Sequence, residues 1–321
     1  MEKVVQQTDY DALSCRLAAI SKGYLPSVAF QVQRCNYHGY KEMHMEYLHS
    51  LKSVSRRIHS KIFRAMQNSF PVMNYGTYLR TVSIDIQIND FLKSHSKFQN
   101  VQIINLGCGS DLRMIPIIKN FTNVTYIDID YKDSIEMKRK ILDQNRALKK
   151  ALESDDDGET NRYKLISCDL NDEAQTVRTL SESTSSDSPT IVISECVLCY
   201  MDDHASKQLI SVVLDIYKTG IWISYDPIGG SKFSDRFGII MQSNLRESRH
   251  LEMPTLMIYN SKETYSSRFA NCNVEIKDMW DIFENDIPKE EISRLKSLQF
   301  LDEVEELKIM QTHYVLLKAS W

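Results

Sequence analysis

The chain has 321 residues, of which 42% are hydrophobic and 26% charged, and its formal net charge is −4. That composition supports one large core or two small ones, and it excludes a global attraction to nucleic acid or an anionic membrane surface. No apolar run approaches the roughly 20 residues that cross a bilayer.

Met1 to Gln7 lacks the apolar stretch of a signal peptide. Seven scattered cysteines, an odd number, fit reduced thiols. A cytosolic or nuclear protein is expected. Residues 1 to about 95 are largely helical in pattern, and the basic stretch Ser55 to Lys61 reads as a solvated helix face. Asn74-Tyr75-Gly76 interrupts the pattern. Tyr78 to Leu92 then reads as a helix with Leu79, Val82, Ile86 and Phe91 among its apolar positions.

Beyond residue 96 the pattern alternates regularly. Strands are predicted at 101–107, 124–129, 163–167, 190–195 and 220–225, with helices at about 111–120, 133–152, 172–182 and 203–217 between them. Such alternation implies a doubly wound α/β fold, a parallel sheet with helices on both faces. Two polar stretches, Glu153 to Asn161 and Ser181 to Ser188, read as surface loops. Gly229-Gly230 gives a flexible exit from the fifth strand. The insertion 227–270, with a helix at about 234–249 and many Met, Leu and Phe residues, is expected to form a lid. A helix around 289–310 and a strand at 313–317 close the chain, the strand pairing antiparallel with one near 272–278. The expected organisation is a helical arm, 1–95, packed on a core, 96–321, in one compact domain.

In open parallel sheets the ligand lies beyond the carboxyl ends of the strands. That rule selects Gly107 and Gly109 after the first strand, Asp128 or Asp130 after the second, Asp169-Leu170 after the third and Glu195 after the fourth. The glycines allow close backbone approach, and the second-strand acid can accept hydrogen bonds from ribose hydroxyls. A dinucleotide would want a third glycine where Leu112 stands. A nucleoside without pyrophosphate fits better, and S-adenosylmethionine is one. Its ribose would meet the acid, its adenine edge Asp169 and the Leu170 backbone, and its ammonium Glu195. Each acid alone reads equally well as a helix cap. Cys196-x-x-Cys199 has no second pair to complete a zinc site and reads as two small apolar residues at a strand end. No metal is expected, and the eight histidines form no triad.

The segments Asn105 to Asp111, Phe70 to Arg80, Cys168 to Asn171, Ser194 to Leu198, Gln7 to Ala12 and Ser224 to Pro227 resemble the leucine carboxyl methyltransferases, and the fungal members most closely. The resemblance covers essentially the whole chain. It implies a class I S-adenosylmethionine-dependent methyltransferase fold. It also implies methylation of the C-terminal leucine carboxylate of the protein phosphatase 2A catalytic subunit, with neither nucleic acid nor membrane as partner. Carried over by motif, Lys22 and Arg80 would sit near the cofactor's carboxylate, and Gly107, Asp130, Asp169, Leu170 and Glu195 would complete its site. The family pattern, here Tyr126 to Tyr131, puts the ribose acid second and so favours Asp130 over Asp128. Tyr200 is a candidate substrate contact or a packed strand-end tyrosine. Alternatives are a related enzyme acting on a tRNA base or small acid, and a non-catalytic adenosyl-binding module that docks a phosphatase. A nicotinamide dehydrogenase is disfavoured by Leu112.

A C-terminal carboxylate has a pKa of about 3.3–3.7 and is already an anion at neutral pH. It needs no general base, so alignment and exclusion of water should do most of the work. Arg80 is expected to position the carboxylate, because too strong a grip would blunt the nucleophile.

Overall fold

A computed structural model describes residues 2–26, 39–152, 162–231 and 234–321. Its seven strands, counted among the described residues, are β1 Val101–Leu106, β2 Val124–Asp130, β3 Tyr163–Ser167, β4 Thr190–Glu195, β5 Gly220–Pro227, β6 Asn273–Asp278 and β7 Tyr314–Ser320. They form one sheet in the order β3-β2-β1-β4-β5-β7-β6. The first five are parallel, and β7 runs antiparallel to both of its neighbours. This is the Rossmann-like α/β sheet that the alternation implied, with the expected antiparallel closing pair. The order reverses between β1 and β4, so a crevice opens beyond their carboxyl ends.

Alternate residues of each central strand feed opposite faces, as the period of two requires. Ile103, Tyr126, Ile193 and Ile223 join one core, while Ile104, Ile127, Val192 and Trp222 join the other. Burial on both faces explains why β1 and β5 carry apolar residues at successive positions, Ile103-Ile104 and Ile221-Trp222-Ile223. The N-terminal helices α1 Glu2–Ser21, α2 Tyr40–Val54, α3 Arg56–Gln67 and α4 Pro71–Ser94 cover the first face. Leu17, Tyr47, Ile62 and Leu79 share its continuous core. Helix Asp203–Ile216 covers the second through Leu209, Ile210 and Val213. No helix among the described residues is long and apolar enough to cross a membrane.

Several expected boundaries move, each for a local reason. Asn74-Tyr75-Gly76 does not break the chain, because α4 runs straight through it. Buried Asn74 accepts from Ser69 Oγ at 2.8 Å and donates to Gln299 Oε1 at 2.7 Å. At Gly76 a Cβ would come within 3.0 Å of the Gln311 amide, so the glycine serves packing. The long helix expected at 133–152 divides into Lys132–Gln144 and Arg146–Leu152. Asn145 between them is extended and caps Leu148 N–H at 3.0 Å. The helix expected at 289–310 likewise divides into Lys289–Leu298 and Val304–Thr312, and a further helix, Met279–Asn285, has no counterpart in the expectation. The polar stretch Glu153 to Asn161 lies outside the described residues.

Candidate functional site

A cavity of about 800 Å³ lies at the carboxyl ends of β1 to β5. Its floor is the β1 turn. Gly107 and Gly109 have φ of +61° and +45°, a region that other residues rarely adopt. A Cβ on Gly107 would stand 2.7 Å from Val197, and one on Gly109 only 2.3 Å from Asp9. The turn therefore needs glycine for space as well as for conformation.

Asp130 closes β2 beside this turn. Its carboxylate accepts from Gly109 N–H at 2.8 Å and Tyr131 N–H at 2.7 Å. Burial pushes its pKa up to about 6, against the partial relief of those two donors. Asp128 lies on the same face of the strand but one step deeper, fully buried. It accepts from Lys138 Nζ at 2.7 Å, Tyr163 Oη at 2.7 Å and Asn105 Nδ2 at 3.0 Å. Those three partners commit Asp128 to the core, and it does not line the cavity. At the end of β3, Asp169 and Leu170 line the cavity. Asp169 Oδ1 accepts from Asn171 N–H at 3.0 Å.

Glu195 ends β4 among three guanidinium groups. Arg80 from α4 and Arg113 from the β1 turn both bond it, Arg113 Nη1 at 2.5 Å, and Arg16 from α1 approaches at 3.4 Å. Burial opposes the Glu195 charge, but Arg113, Arg80 and Arg16 outweigh it and hold the carboxyl far below its usual range. Arg113 also pairs with Asp85 at 2.7 Å and Asp111 at 2.9 Å. Side-chain exposure separates the three: Arg113 is 4% exposed, Arg16 13% and Arg80 24%. Arg80 is the arginine most open to a ligand, and its guanidinium lies 5.1 Å from the Tyr225 ring centroid.

Met241, Leu245, Met253, Cys196 and Tyr200 form an apolar wall of the cavity, packed around buried Cys199 and Leu256. Met241 and Leu245 come from helix Phe237–Arg249, so the insertion after β5 supplies one side of the cavity. Cys196 stands at φ 58° directly after Glu195. Burial pushes its thiol up to about 12, so it is not a thiolate at neutral pH. His44 lines the cavity, and burial pulls its pKa down to about 4. It is neutral at pH 7 and cannot titrate there. Among the described residues no cluster of three or more His, Cys, Asp or Glu is arranged to hold a metal ion.

Residues 40–214 match the model of the leucine carboxyl methyltransferase family. Leucine carboxyl methyltransferase 1 of Eremothecium gossypii is 47% identical, over 100% of both chains. That of Kluyveromyces lactis is 46% identical over 100% of this chain and 99% of its own. The chain belongs to the leucine carboxyl methyltransferase family. As a member it is an S-adenosylmethionine-dependent carboxyl methyltransferase. Among solved structures, a methyltransferase candidate from Thermobifida fusca superposes with a TM-score of 0.54 at 9% identity, covering 85% of this chain and 92% of that one. A DUF574 family protein from Streptomyces avermitilis gives 0.54 at 10%, covering 82% and 90%. At that identity the likeness speaks for the fold alone.

The residues present fit the methyl donor of this methyltransferase family. The glycine turn admits no Cβ, and Asp130 is a half-buried carboxylate whose present donors leave its pKa raised, so further hydroxyl donors would be welcome there. The volume is ample for a nucleoside. Of the residues singled out in the sequence, Arg80, Gly107, Asp130, Asp169, Leu170, Glu195 and Tyr200 all line this one cavity. Lys22 does not: it lies six positions beyond Arg16 on the chain and donates to the Ser69 carbonyl outside the cavity. The nearby cation that α1 supplies is Arg16.

Sequence reasoning also missed Asp9, Arg16 and Arg113. Asp9 Oδ1 accepts from Ser110 N–H at 2.8 Å and Ser110 Oγ at 2.5 Å, tying α1 to the glycine turn 101 residues away. Asp11 pairs with Arg249, joining α1 to the insertion across the cavity. The only signal for Asp9 was its place in the Gln7-to-Ala12 segment. Arg113, two residues after Asp111, resembles any helix-start arginine until its three carboxylate partners are seen.

Proposed function

We propose that this methyltransferase esterifies the α-carboxylate of the C-terminal leucine of the protein phosphatase 2A catalytic subunit. One observation carries this reading: a single cavity is lined by a partly open arginine held by Glu195, by a nucleoside-type glycine turn with its strand-end acids, and by an apolar wall. The family to which the chain belongs supports leucine as the acceptor.

When bound, S-adenosylmethionine supplies an electrophilic methyl group on a sulfonium centre. Gly107 and Gly109 would let the backbone approach the nucleoside. Asp130 would accept from its ribose hydroxyls, and Asp169 with the Leu170 backbone would meet the adenine edge. Glu195 stays ionised and orients Arg80. Arg80 would then hold the acceptor carboxylate, which arrives as an anion and needs no base. Met241, Leu245 and Met253 would take the leucine side chain and exclude water from the reacting oxygen. Tyr200 would border the acceptor. His44 stays a neutral imidazole and Cys196 a protonated thiol, and an acceptor that arrives ionised asks neither for a proton transfer.

The test is transfer of radiolabelled methyl to the purified phosphatase subunit. Base-labile label that disappears when the terminal leucine is deleted is the expected result. Absence of label, or label that survives the deletion, would reject the acceptor.

A further inference from the structure

Between Asp11 and Asp85 the chain carries ten Lys and Arg residues and only two carboxylates, Glu42 and Glu46. That segment is +8 in a chain whose net charge is −4. Four of its cations gather on and beside α3. Arg57, Lys61 and Arg64 lie at i, i+4 and i+7, one stripe of the helix, and Lys52 ends α2 next to it. All four are exposed, and among the described residues none of their side chains is held in an ion pair. Residues 27–38, which precede α2, contain no Asp or Glu to neutralise them. An ordinary solvated helix face interleaves the two signs. Elsewhere this protein does so, with Lys132–Glu136 and Lys207–Asp203 at i, i+4. The α3 stripe has no such pairing.

The connection of α3 to the cavity-lining helices gives the stripe a use. α3 ends at Gln67, and four residues later Pro71 opens α4, whose Val72, Met73, Gly76 and Thr77 line the cavity. Gln67 to Met73 spans at most about 20 Å of extended chain. Phe70, 68% exposed, stands between the two. A protein that inserts its C-terminal tail into the cavity must rest its body on the surface around it, and α3 packs on α1, which itself lines the cavity.

We propose that Arg57, Lys61 and Arg64, with Lys52, are a docking surface for an acidic patch on the folded acceptor protein, separate from the cavity that takes its tail. This rests on the acceptor reading above. The rest of the chain is net acidic and repels an acidic partner, so this face steers the encounter and fixes the orientation in which the tail meets the mouth.

The variant R57E/K61E/R64E tests it, with the phosphatase catalytic subunit as acceptor. The expected result is a KM raised by about tenfold or more and a flattened salt dependence of kcat/KM. The kcat, the melting curve and the calorimetric affinity for S-adenosylhomocysteine should be unchanged. R57K/R64K should behave as the wild type. An unchanged KM and salt slope would overturn the docking surface and leave the acceptor reading standing. A wild-type chain that places no label on the terminal leucine would overturn both. Binding of phosphatidylserine vesicles or single-stranded RNA that the triple variant loses, with acceptor kinetics intact, would assign the face to phosphate groups and overturn a protein partner.

Discussion

Asp130 gives the sharpest physical test of the nucleoside pocket. Its carboxyl is pushed from the ordinary 3.8 up to about 6 by burial. That displacement amounts to about 3 kcal/mol against the charged form at neutral pH. In the ligand-free protein the sign follows from linkage: the folded chain holds this proton more tightly than the unfolded one. The group's stabilisation is thus fully present below about pH 4 and is lost as pH rises through about 6. Ribose hydroxyls reverse the preference, because they donate to the ionised carboxylate and pull its pKa down. Binding should therefore release a proton near pH 6, and affinity should fall as the pH drops below it. Calorimetric titration with S-adenosylhomocysteine should show Kd flat above pH 7 and weaker by about tenfold at pH 5. Asp130→Asn should bind about 10–100-fold more weakly at pH 7, the worth of hydrogen bonds to a charged acceptor, and should lose the pH slope. Asp9 is also half-buried, desolvation raises its pKa, and its charge acts on Asp130. Asp9→Asn should keep the slope, which separates the two carboxyls. An affinity constant from pH 5 to 8, or a slope that survives Asp130→Asn, would refute the assignment.

Other perturbations probe different links. Asp128→Asn strips the anion from Lys138, whose side chain is 1% exposed; it should destabilise the fold by about 3–5 kcal/mol, seen as a lower urea midpoint, and an unchanged midpoint would deny its core role. Arg80→Ala leaves Glu195 paired with Arg113 and Arg16, so the protein should stay folded by circular dichroism while turnover falls about 100-fold. Arg80→Lys should recover part of that loss, and full turnover in Arg80→Ala would remove the residue from the mechanism. Leu245→Ala with Met253→Ala should cut the preference for leucine-ended over alanine-ended acceptors by about tenfold, measured as a ratio of kcat/KM; an unchanged ratio would move the leucine pocket elsewhere.

Strand ends were the legible part of this molecule. Gly107, Asp130, Asp169 and Glu195 follow from local pattern, because a strand, its turn and its terminal acid are adjacent in the chain. The sheet order beyond the five parallel strands could be anticipated only as an antiparallel pair. The illegible part arrives through space. Asp9 meets Ser110, Arg16 meets Glu195 and Asp85 meets Arg113 across separations of 101, 179 and 28 residues. Periodicity carries no record of such pairings. The broken helices fail for the opposite reason: Asn145 sits in a good helical pattern, and only its bonds to Glu46, Ser50 and Leu148 make a break there favourable. Lys22 was placed by motif alone, and a motif fixes the helix without fixing which of its turns reaches the cavity.

The charge balance around Glu195 bears on how such a site can turn over. Arg16, Arg80 and Arg113 face Glu195, Asp111 and Asp85, three positive against three negative. A pocket carrying the arginines alone would bind an anionic acceptor tightly, but it would stabilise that ground state as the reaction consumed its charge. With the carboxylates in place the cluster is nearly neutral overall and strongly directional locally. Buried Arg113 maintains the balance, and Arg80, the most exposed of the three, keeps donors toward the cavity. With Arg80 in its proposed role, such a site would grip a carboxylate by geometry and lose little when that carboxylate becomes a neutral ester.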